Sequence, residues 1–128
     1  MEDRYLFKAK HFEKWHIGNI VKEPDGLYIR DIKENVIAYI DDESTICQCT
    51  GLKDKNGKLI WENDIMVAHL DDYYPEDKTY AKILWRKNGF YIIENGSEDI
   101  SPIDKFDQDH FEVCGNIFDN AELLESEG

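Results

Sequence analysis

Four pairs of Asp or Asn followed by Gly constrain the fold of this chain more than any other feature. Such pairs favour the positive φ angles of tight turns between antiparallel strands. Because four of them occur within 128 residues, the sequence predicts a mainly antiparallel β protein. The pairs are Asp25-Gly26, Asn56-Gly57, Asn88-Gly89 and Asn95-Gly96.

The segments between these turns have the length and composition of strands, because they are short and rich in β-branched and aromatic residues. Strands so spaced, with no helices between them, favour a small barrel over a parallel α/β sheet. A short helix is predicted near the C-terminus, where Asp119 or Asn120 can cap and Glu122 follows. The predicted strands are 27–33, 36–40, 65–70, 80–85, 90–94 and 111–118.

The acidic turn at 41–44 marks a candidate domain boundary. Before it lies a β-rich segment, and after it come five or six predicted strands separated by short turns. We therefore expect a small N-terminal β subdomain over residues 1–45 and an SH3-like β-barrel over residues 46–128. The two should lean on each other, because cores much below about 40 residues rarely hold together alone.

The charge of the chain is strongly acidic, with 28 Asp and Glu against 15 Lys and Arg. Residues 94–128 hold 11 acids with Lys105 as the only base, a net charge of −10. Direct binding to nucleic acid is disfavoured, because that affinity comes mostly from Lys and Arg displacing counterions. The acidic quarter is either a self-repelling, solubilising surface or a face that meets a basic partner.

The cellular compartment follows from what the sequence lacks. No window approaches the roughly 18 apolar residues that a membrane helix needs, and no basic start precedes an apolar run. The three cysteines are an odd number and have no spacing typical of a secreted disulfide framework. We expect a soluble cytoplasmic protein with no membrane partner.

The stretch TGLKDKNGKLIWENDIM, residues 50–66, is dense enough in Asp, Asn and Lys to suggest a binding loop. A calcium loop of the EF-hand type needs Gly at its sixth position and oxygen ligands at its first and twelfth. With Gly57 sixth, the first position is Leu52, so the register fails. The sequence therefore predicts a structural hairpin that turns at Asn56-Gly57 and again at Glu62-Asn63-Asp64, with no ion bound among Asp54, Asn56 and Glu62.

The cysteines offer a chemical alternative. Cys47 and Cys49 alternate on one face of a predicted strand, and His110 and Cys114 could complete a Cys3His zinc set. The spacing differs from that of common zinc ribbons and knuckles, so we interpret the three thiols as small buried hydrophobic residues.

Catalytic residues are equally hard to assign. The four histidines are scattered along the sequence, and no Ser or Cys lies next to a residue that the sequence identifies as a general base. Glu62 and Asp64 could act as an acid–base pair, but we interpret them as carboxylates that cap a turn, which is the commoner role. The sequence thus predicts no enzyme, cofactor, catalytic residue or metal ligand, with a hydrolase or metal protein as the alternative.

The aromatic residues divide between core and surface. Trp61, Trp85 and Phe90 are assigned to the core, with Trp85 and Phe90 paired across the Asn88-Gly89 turn. Tyr73 and Tyr74 lie in an acidic excursion, where they either form a contact patch or fold back on the barrel.

Two motifs and a weaker third resemble the hallmarks of the YopX family of phage and prophage proteins. QCTGLKDKNGKLIWENDIM (48–66) is similar to the first hallmark and GNIFDNAELL (115–124) to the second. YLFKAKHFEKWHIG (5–18) resembles the N-terminal pattern, although Lys10-His11 stands where Trp-Asp is usual.

The resemblance implies an N-terminal β region followed by an SH3-like barrel, an origin in a phage or prophage, and a capacity to form oligomers. It implies no activity, because the family has no established biochemical function. We therefore expect an accessory protein that acts as a non-enzymatic interaction module with a host or phage protein. The alternative is an acidic regulator, or nucleic-acid mimic, that engages a nucleic-acid-binding protein through Glu98, Asp99, Asp104, Asp107 and Asp109.

Overall fold

The computed structural model describes residues 5–86 and 89–125. The protein is mainly β and contains two antiparallel sheets, which confirms the fold class predicted from the turns. It divides into two compact units, Met1–Gly51 and Leu52–Gly128.

The first unit is a meander of strands in the order β4-β3-β2-β1-β5. A turn joins β2 to β3 where the Asp25-Gly26 pair predicts one, but its two central residues are Pro24 and Asp25, and Gly26 begins β3 at φ +147°. A 3₁₀ turn at Glu43–Thr45 leads into β5, which runs on into the second unit. The strands are β1 (Phe7–His11), β2 (Lys14–Glu23), β3 (Gly26–Asp31), β4 (Val36–Tyr39) and β5 (Cys47–Lys53).

One side of this sheet forms the core of the first unit. Residues that pair across strands, such as Ile29 with Ala38, point to the same side of a sheet and pack together. The buried cluster is Ala9, Ile29, Ala38 and Ile40, with Ile20, Leu27 and Ile46 packed against it.

The second unit contains a five-stranded sheet in the order β10-β9-β8-β7-β11, while β6 pairs with β5. Its core is the apolar cluster Ile60, Met66, Ala68, Ala81, Ile83, Ile92 and Phe111. The elements are β6 (Leu59–Trp61), β7 (Asp64–Ala68), β8 (Thr79–Arg86), β9 (Gly89–Glu94), β10 (Ser101–Pro102), α1 (Lys105–His110), β11 (Glu112–Asn116) and a 3₁₀ turn (Ala121–Leu124).

The predicted SH3-like barrel is not closed by these pairings. Over the described residues, β10 and β11 remain the two edges of an open sheet. Strand β10 is only two residues long and includes Pro102, which has no N–H to donate to a further strand. Turn spacing indicated antiparallel strands correctly, but it carries no information on whether the first and last of them meet.

The helices differ from the prediction in one respect. The C-terminal helix is present as the 3₁₀ turn at Ala121–Leu124. Helix α1 was not predicted from the sequence. It begins with a capping box in which the Asp104 and Asp107 side chains each accept from the other's backbone N–H. Asp at the N3 position replaces the usual Glu or Gln of the motif, so the signal was missed.

The aromatic predictions are partly wrong. Trp61 is buried, and Trp85 and Phe90 form the predicted cross-strand pair with ring centroids 4.9 Å apart. Trp85 is nevertheless 43% exposed, because the pair lies near the end of a two-stranded extension rather than over the core. Asn88 of the intervening turn lies outside the described residues. Tyr73 and Tyr74 are exposed and do not fold back on the sheet.

Candidate functional site

The loop between β5 and β6, which belongs to the motif at 48–66, is held by the buried carboxylate of Asp54. Its Oδ1 accepts from the backbone N–H of Asn56 at 2.9 Å and of Lys58 at 2.8 Å, so it closes the turn. Its Oδ2 accepts from the backbone N–H of Val113 in β11 at 2.8 Å. Gly57 completes the turn at φ +81°. The loop is the structural hairpin predicted above, tied to a strand 59 residues away.

The next turn, between β6 and β7, uses the second carboxylate of the motif. Asp64 is buried, and its Oδ2 accepts from the Trp61 backbone N–H at 2.7 Å. Asn63 occupies the left-handed region at φ +71°, which Asn tolerates better than most residues. Asp64 therefore caps the turn, while Glu62 stands beside it partly exposed.

The second hallmark, at 115–124, is also a hydrogen-bonded turn. Asn116 Oδ1 accepts from the backbone N–H groups of Phe118 and Asp119, both at 2.9 Å. Asn120 Oδ1 accepts in turn from the Asn116 N–H at 3.1 Å. Gly115 leaves the space for that side chain, since a Cβ there would lie 2.4 Å from Asn120 Oδ1. Both family motifs thus supply turns and strand ties.

The proposed zinc residues have local contacts of their own. Cys47 and Cys49 are buried, as predicted, and the Cys47 thiol donates to the Thr45 carbonyl. His110 stacks on Phe106 and donates from Nδ1 to the Phe106 carbonyl at 2.9 Å. These contacts give Cys47 and His110 local structural roles in their own units.

Cys114 is exposed, so its assignment as a buried residue was wrong. A shift in the pairing of β11 with β7, between Val113 and Gly115, takes it out of the strand alternation. Partial burial, and next the neighbouring Glu112 carboxylate, raise the pKa of its thiol. At a given pH, a smaller fraction of the Cys114 thiol is therefore ionised than in an ordinary cysteine.

Within the described residues, one group of potential metal ligands brings its atoms within 4.8 Å of one another, namely His16, Asp31 and Glu34. His16 Nδ1 lies 2.8 Å from Asp31 Oδ2 and 3.9 Å from Glu34 Oε1. Because a carboxylate only accepts, the imidazole donates to Asp31. Lys14 Nζ lies 2.8 Å from both oxygens of Glu34. Each of the three side chains thus has a hydrogen-bond or ion-pair partner within the protein.

Asp31 accepts most of the hydrogen bonds in this group. Its Oδ1 accepts from the backbone N–H groups of Lys33 and Glu34, both at 2.8 Å, which shapes the β3–β4 turn. Burial by itself raises the pKa of this carboxyl, but the hydrogen bonds from Glu34, His16 and Lys33 outweigh it and lower the pKa. Asp31 thus stays ionised in the folded protein and ties β2 to the turn.

Asp31→Asn should lower the free energy of unfolding at neutral pH by about 2 kcal/mol, because the charge-assisted bond with buried His16 is lost. A lowered folded-state pKa contributes stability above the unfolded value and loses it as the pH falls through the folded value. The difference from wild type should therefore persist to about pH 4 and vanish only below it. Urea denaturation across this range measures it.

Glu34→Gln is the control for that series, because Glu34 is half exposed and its pair with Lys14 is a surface contact worth at most about 1 kcal/mol. Equal stability losses for the two variants would contradict the role given to Asp31.

The other side of the first unit's sheet is unusual in composition. We call it the outer face. Of the described strand positions on this side of β1–β4, Glu23 at the very end of β2 is the one acidic residue, although acids outnumber bases 28 to 15 in the chain. The outer face consists of Lys8, Lys10, Trp15, Ile17, Asn19, Val21, Glu23, Tyr28, Arg30, Ile37 and Tyr39.

The outer face mixes exposed apolar and basic side chains in rows. Ile37 is 61% exposed and pairs across the strands with exposed Arg30, while Ile17 pairs with Lys8. Lys8 Nζ lies 4.7 Å from the centre of the Trp15 ring, a cation–π contact. Clustered exposed hydrophobic residues of this kind mark interaction sites more often than single ones do.

The second unit has a surface of opposite charge. We call residues 94–110 the acidic surface, because they carry six acids and one Lys. Lys105 is paired with Asp109 one helical turn away. Ile100 and Phe106 stand exposed among the carboxylates, at 40% and 52%. The acids are Glu94, Glu98, Asp99, Asp104, Asp107 and Asp109.

A small cavity of about 230 Å³ opens in the acidic surface, lined by Ile92, Glu94, Ser97, Asp99, Ser101 and Asp107. Partial burial, together with the nearby Asp104 and Glu94 carboxylates, raises the pKa of Asp107. The volume is below the roughly 300–1,000 Å³ of ordinary small-molecule sites. The cavity suits a single basic side chain better than a cofactor.

The sequence analysis identified the acidic surface but missed the outer face. The sequence of β3 does not alternate clearly between apolar and polar residues, because both sides of this strand carry apolar side chains. Only the strand register shows that Lys8, Arg30 and Ile37 share one side. The described residues contain no helix long and apolar enough to cross a membrane.

The fold has a counterpart among solved structures. The crystal structure of protein EF1440 from Enterococcus faecalis matches with a TM-score of 0.55 and 22% sequence identity. The match covers 94% of this chain and 96% of that one, so the likeness concerns the whole fold. No curated protein sequence matches the chain.

The family comparison agrees with the turns described above. The model of the YopX protein family matches residues 7–125, from the first residue of β1 to the end of the described chain. The match thus includes the Asp54 loop, the Asp64 turn and the Gly115–Asn120 turn. This chain belongs to the YopX protein family.

Proposed function

We propose that this protein is a non-enzymatic protein-interaction module of phage or prophage origin, acting in the cytoplasm. The observation that carries the proposal is the outer face, where large apolar side chains stand exposed next to Lys8 and Arg30 in an otherwise acidic chain. The phage origin rests on the family resemblance alone.

The use of the buried carboxylates supports a role without catalysis. Asp31, Asp54 and Asp64 are the buried acids of the described chain, and each accepts hydrogen bonds from backbone N–H groups. A general acid or base needs a carboxyl that can reach a substrate. The proposal therefore assigns no catalytic residue, cofactor or metal.

A capture experiment with matched variants tests the proposal. Immobilised wild type, an Ile17→Ser/Ile37→Ser variant and a Tyr73→Ser control are exposed to phage-infected host lysate and to purified protein itself. Tyr73 is 89% exposed but lies in the other unit, so it controls for loss of any exposed apolar residue. We expect partners that the control retains and the outer-face variant loses. Identical capture by all three would contradict the proposal.

A second candidate is an acidic regulator of a nucleic-acid-binding protein. It is favoured by the net −10 over residues 94–128 and by the carboxylates crowded around Asp107. Such a protein would compete with DNA or RNA for a basic partner, and its binding would weaken with salt.

The structure narrows the variants that test this second candidate. Asp104 and Asp107 form the capping box of α1, so neutralising them also damages the helix. Glu98→Gln/Asp99→Asn removes charge from the exposed loop instead. We expect this variant to lose most of its ability to displace labelled DNA from a captured basic protein. Unchanged displacement would count against the regulator.

A further inference from the structure

Two Asn-Gly pairs lie in turns that the structure describes, and the hydrogen bonds of these two turns differ. Asn56-Gly57 lies in the loop between β5 and β6, and Asn95-Gly96 follows the end of β9. All four residues are exposed. The difference matters because an Asn-Gly pair can react with itself, without an enzyme, when the glycine nitrogen reaches the asparagine side chain.

The reaction is a deamidation. The backbone nitrogen of the glycine loses its proton and forms a bond to Cγ of the asparagine, which closes a cyclic succinimide. The bond between Cγ and Nδ2 breaks, and the side-chain nitrogen leaves as ammonia after taking up a proton. Water then opens the ring. Attack of water at Cγ gives aspartate, whereas attack at the main-chain carbonyl gives isoaspartate, in which the backbone runs through the former side chain.

The hydrogen bonds of the Asp54 loop oppose this reaction at Asn56. The Gly57 N–H donates to the Asp54 carbonyl at 2.9 Å. The N–H groups of Asn56 and Lys58 both donate to Asp54 Oδ1. The loop must open locally before the Gly57 nitrogen can lose its proton and turn toward the Asn56 side chain. Deamidation of Asn56 is therefore limited to the small fraction of molecules in which the loop is open.

The turn at Asn95-Gly96 has no such restraint on its glycine. The Asn95 N–H donates to the Tyr80 carbonyl at 2.7 Å, and the Ser97 N–H donates to the Glu94 carbonyl at 3.0 Å. Within the described residues, the Gly96 N–H between them donates to no acceptor. A Cβ on Gly96 would meet no atom within 4 Å, so the turn around this nitrogen is also uncrowded.

We propose that Asn95 is a site of spontaneous deamidation in the folded protein, and that the Asp54 loop protects Asn56 from the same reaction. The inference is independent of the proposed function. Deamidation adds a negative charge to the acidic surface, next to Glu94, and isoaspartate lengthens the backbone of the turn that leads away from β9. The acidic surface therefore becomes more acidic as the protein ages, without any change in the gene.

Incubation of the purified protein at mildly alkaline pH, followed by peptide mapping with mass spectrometry, measures each asparagine separately. In the folded protein we expect Asn95 to deamidate at least about tenfold faster than Asn56, because opening the Asp54 loop breaks several hydrogen bonds. In urea the two rates should become similar, because both sites are Asn-Gly and neither is then held by a loop. The peptide of Asn88, which lies outside the described residues, is quantified separately.

Asn95→Gln is the matched control, since a glutamine side chain would have to close a larger ring, which forms more slowly. This variant should show no deamidation at position 95 and an unchanged rate at Asn56. Labelling by an isoaspartate-specific methyltransferase identifies the product in the wild-type peptide and should be absent from the same peptide of the variant.

Three results would overturn the proposal. The first is similar rates at Asn56 and Asn95 in the folded protein. The second is an Asn95 that stays intact in the folded protein and reacts only in urea. The third is a ratio of rates that urea leaves unchanged, since the difference would then come from neighbouring residues rather than from the Asp54 loop.

Discussion

Asp54→Ala should lower the free energy of unfolding by about 3 to 5 kcal/mol, which is enough to unfold many small domains. The substitution removes a buried carboxylate and leaves the N–H groups of Asn56, Lys58 and Val113 without their acceptor. Hydrogen bonds to a charged group contribute about 1.5 to 3 kcal/mol each. The expected loss is large because a single side chain closes the loop and ties it to β11.

Urea denaturation followed by tryptophan fluorescence measures this loss, since Trp61 is buried in the same unit. Asp72→Ala is the control, because Asp72 is an exposed acid in the excursion between β7 and β8. It should change stability by less than about 0.5 kcal/mol. Equal losses for the two variants would mean that Asp54 is not a structural tie.

Gly18→Ala should have a comparable effect in the first unit, with a loss of about 3 kcal/mol or more. Gly18 lies in the middle of β2, opposite Asp31 of β3 and Phe7 of β1. An added Cβ would lie 1.8 Å from the carbonyl oxygen of Arg30, and backbone cannot move aside cheaply. Strands β2 and β3 would have to separate at the point where His16 and Asp31 meet.

Amide hydrogen exchange shows whether the damage stays in the first unit. Faster exchange at Ile20 and Ile29 in Gly18→Ala is the expected result. Gly89→Ala is the matched control, because the nearest atom to its added Cβ is 3.9 Å away and alanine suits a strand better than glycine. Unaltered exchange in Gly18→Ala would show that the sheet tolerates a side chain there.

The antiparallel fold could be predicted because its signals are local. Gly26 begins β3 just after the Pro24-Asp25 turn, whereas Gly57 and Gly96 take the positive φ angles that their Asx-Gly pairs indicate. Each fixes a turn by the geometry of two residues, with no need for distant partners. The structural role of the Asp54 loop could be argued for the same reason, since the register of its oxygens excluded an EF-hand.

Other turns carry no such signal. Phe12, Asn35 and Asn63 take positive φ angles without an adjacent glycine. Phe12 is the least expected, because a bulky side chain is disfavoured there. Its N–H donates to Asp41 Oδ1 at 2.6 Å, a contact across 29 residues that no local pattern reveals.

The candidate surfaces depend on register, which the sequence does not specify by itself. Lys8 and Arg30 are 22 residues apart, and they share a side only because β1 and β3 pair with β2 in the observed alignment. A shift of one residue would send either side chain into the core. The His16–Asp31 pair was missed for the same reason, whereas the acidic surface was found because its charges lie close together in the sequence.

The most direct measurement of whether the family's polar motif is scaffolding is the melting temperature of wild type and Asp54→Ala, with and without millimolar calcium or magnesium. A ligand that binds the folded state raises its stability in proportion to the logarithm of its concentration. We expect wild type to melt at the same temperature with and without the cations, and Asp54→Ala to melt far lower in both. A wild type that the cations stabilise, and a variant that melts nearly as high but no longer responds, would contradict this interpretation.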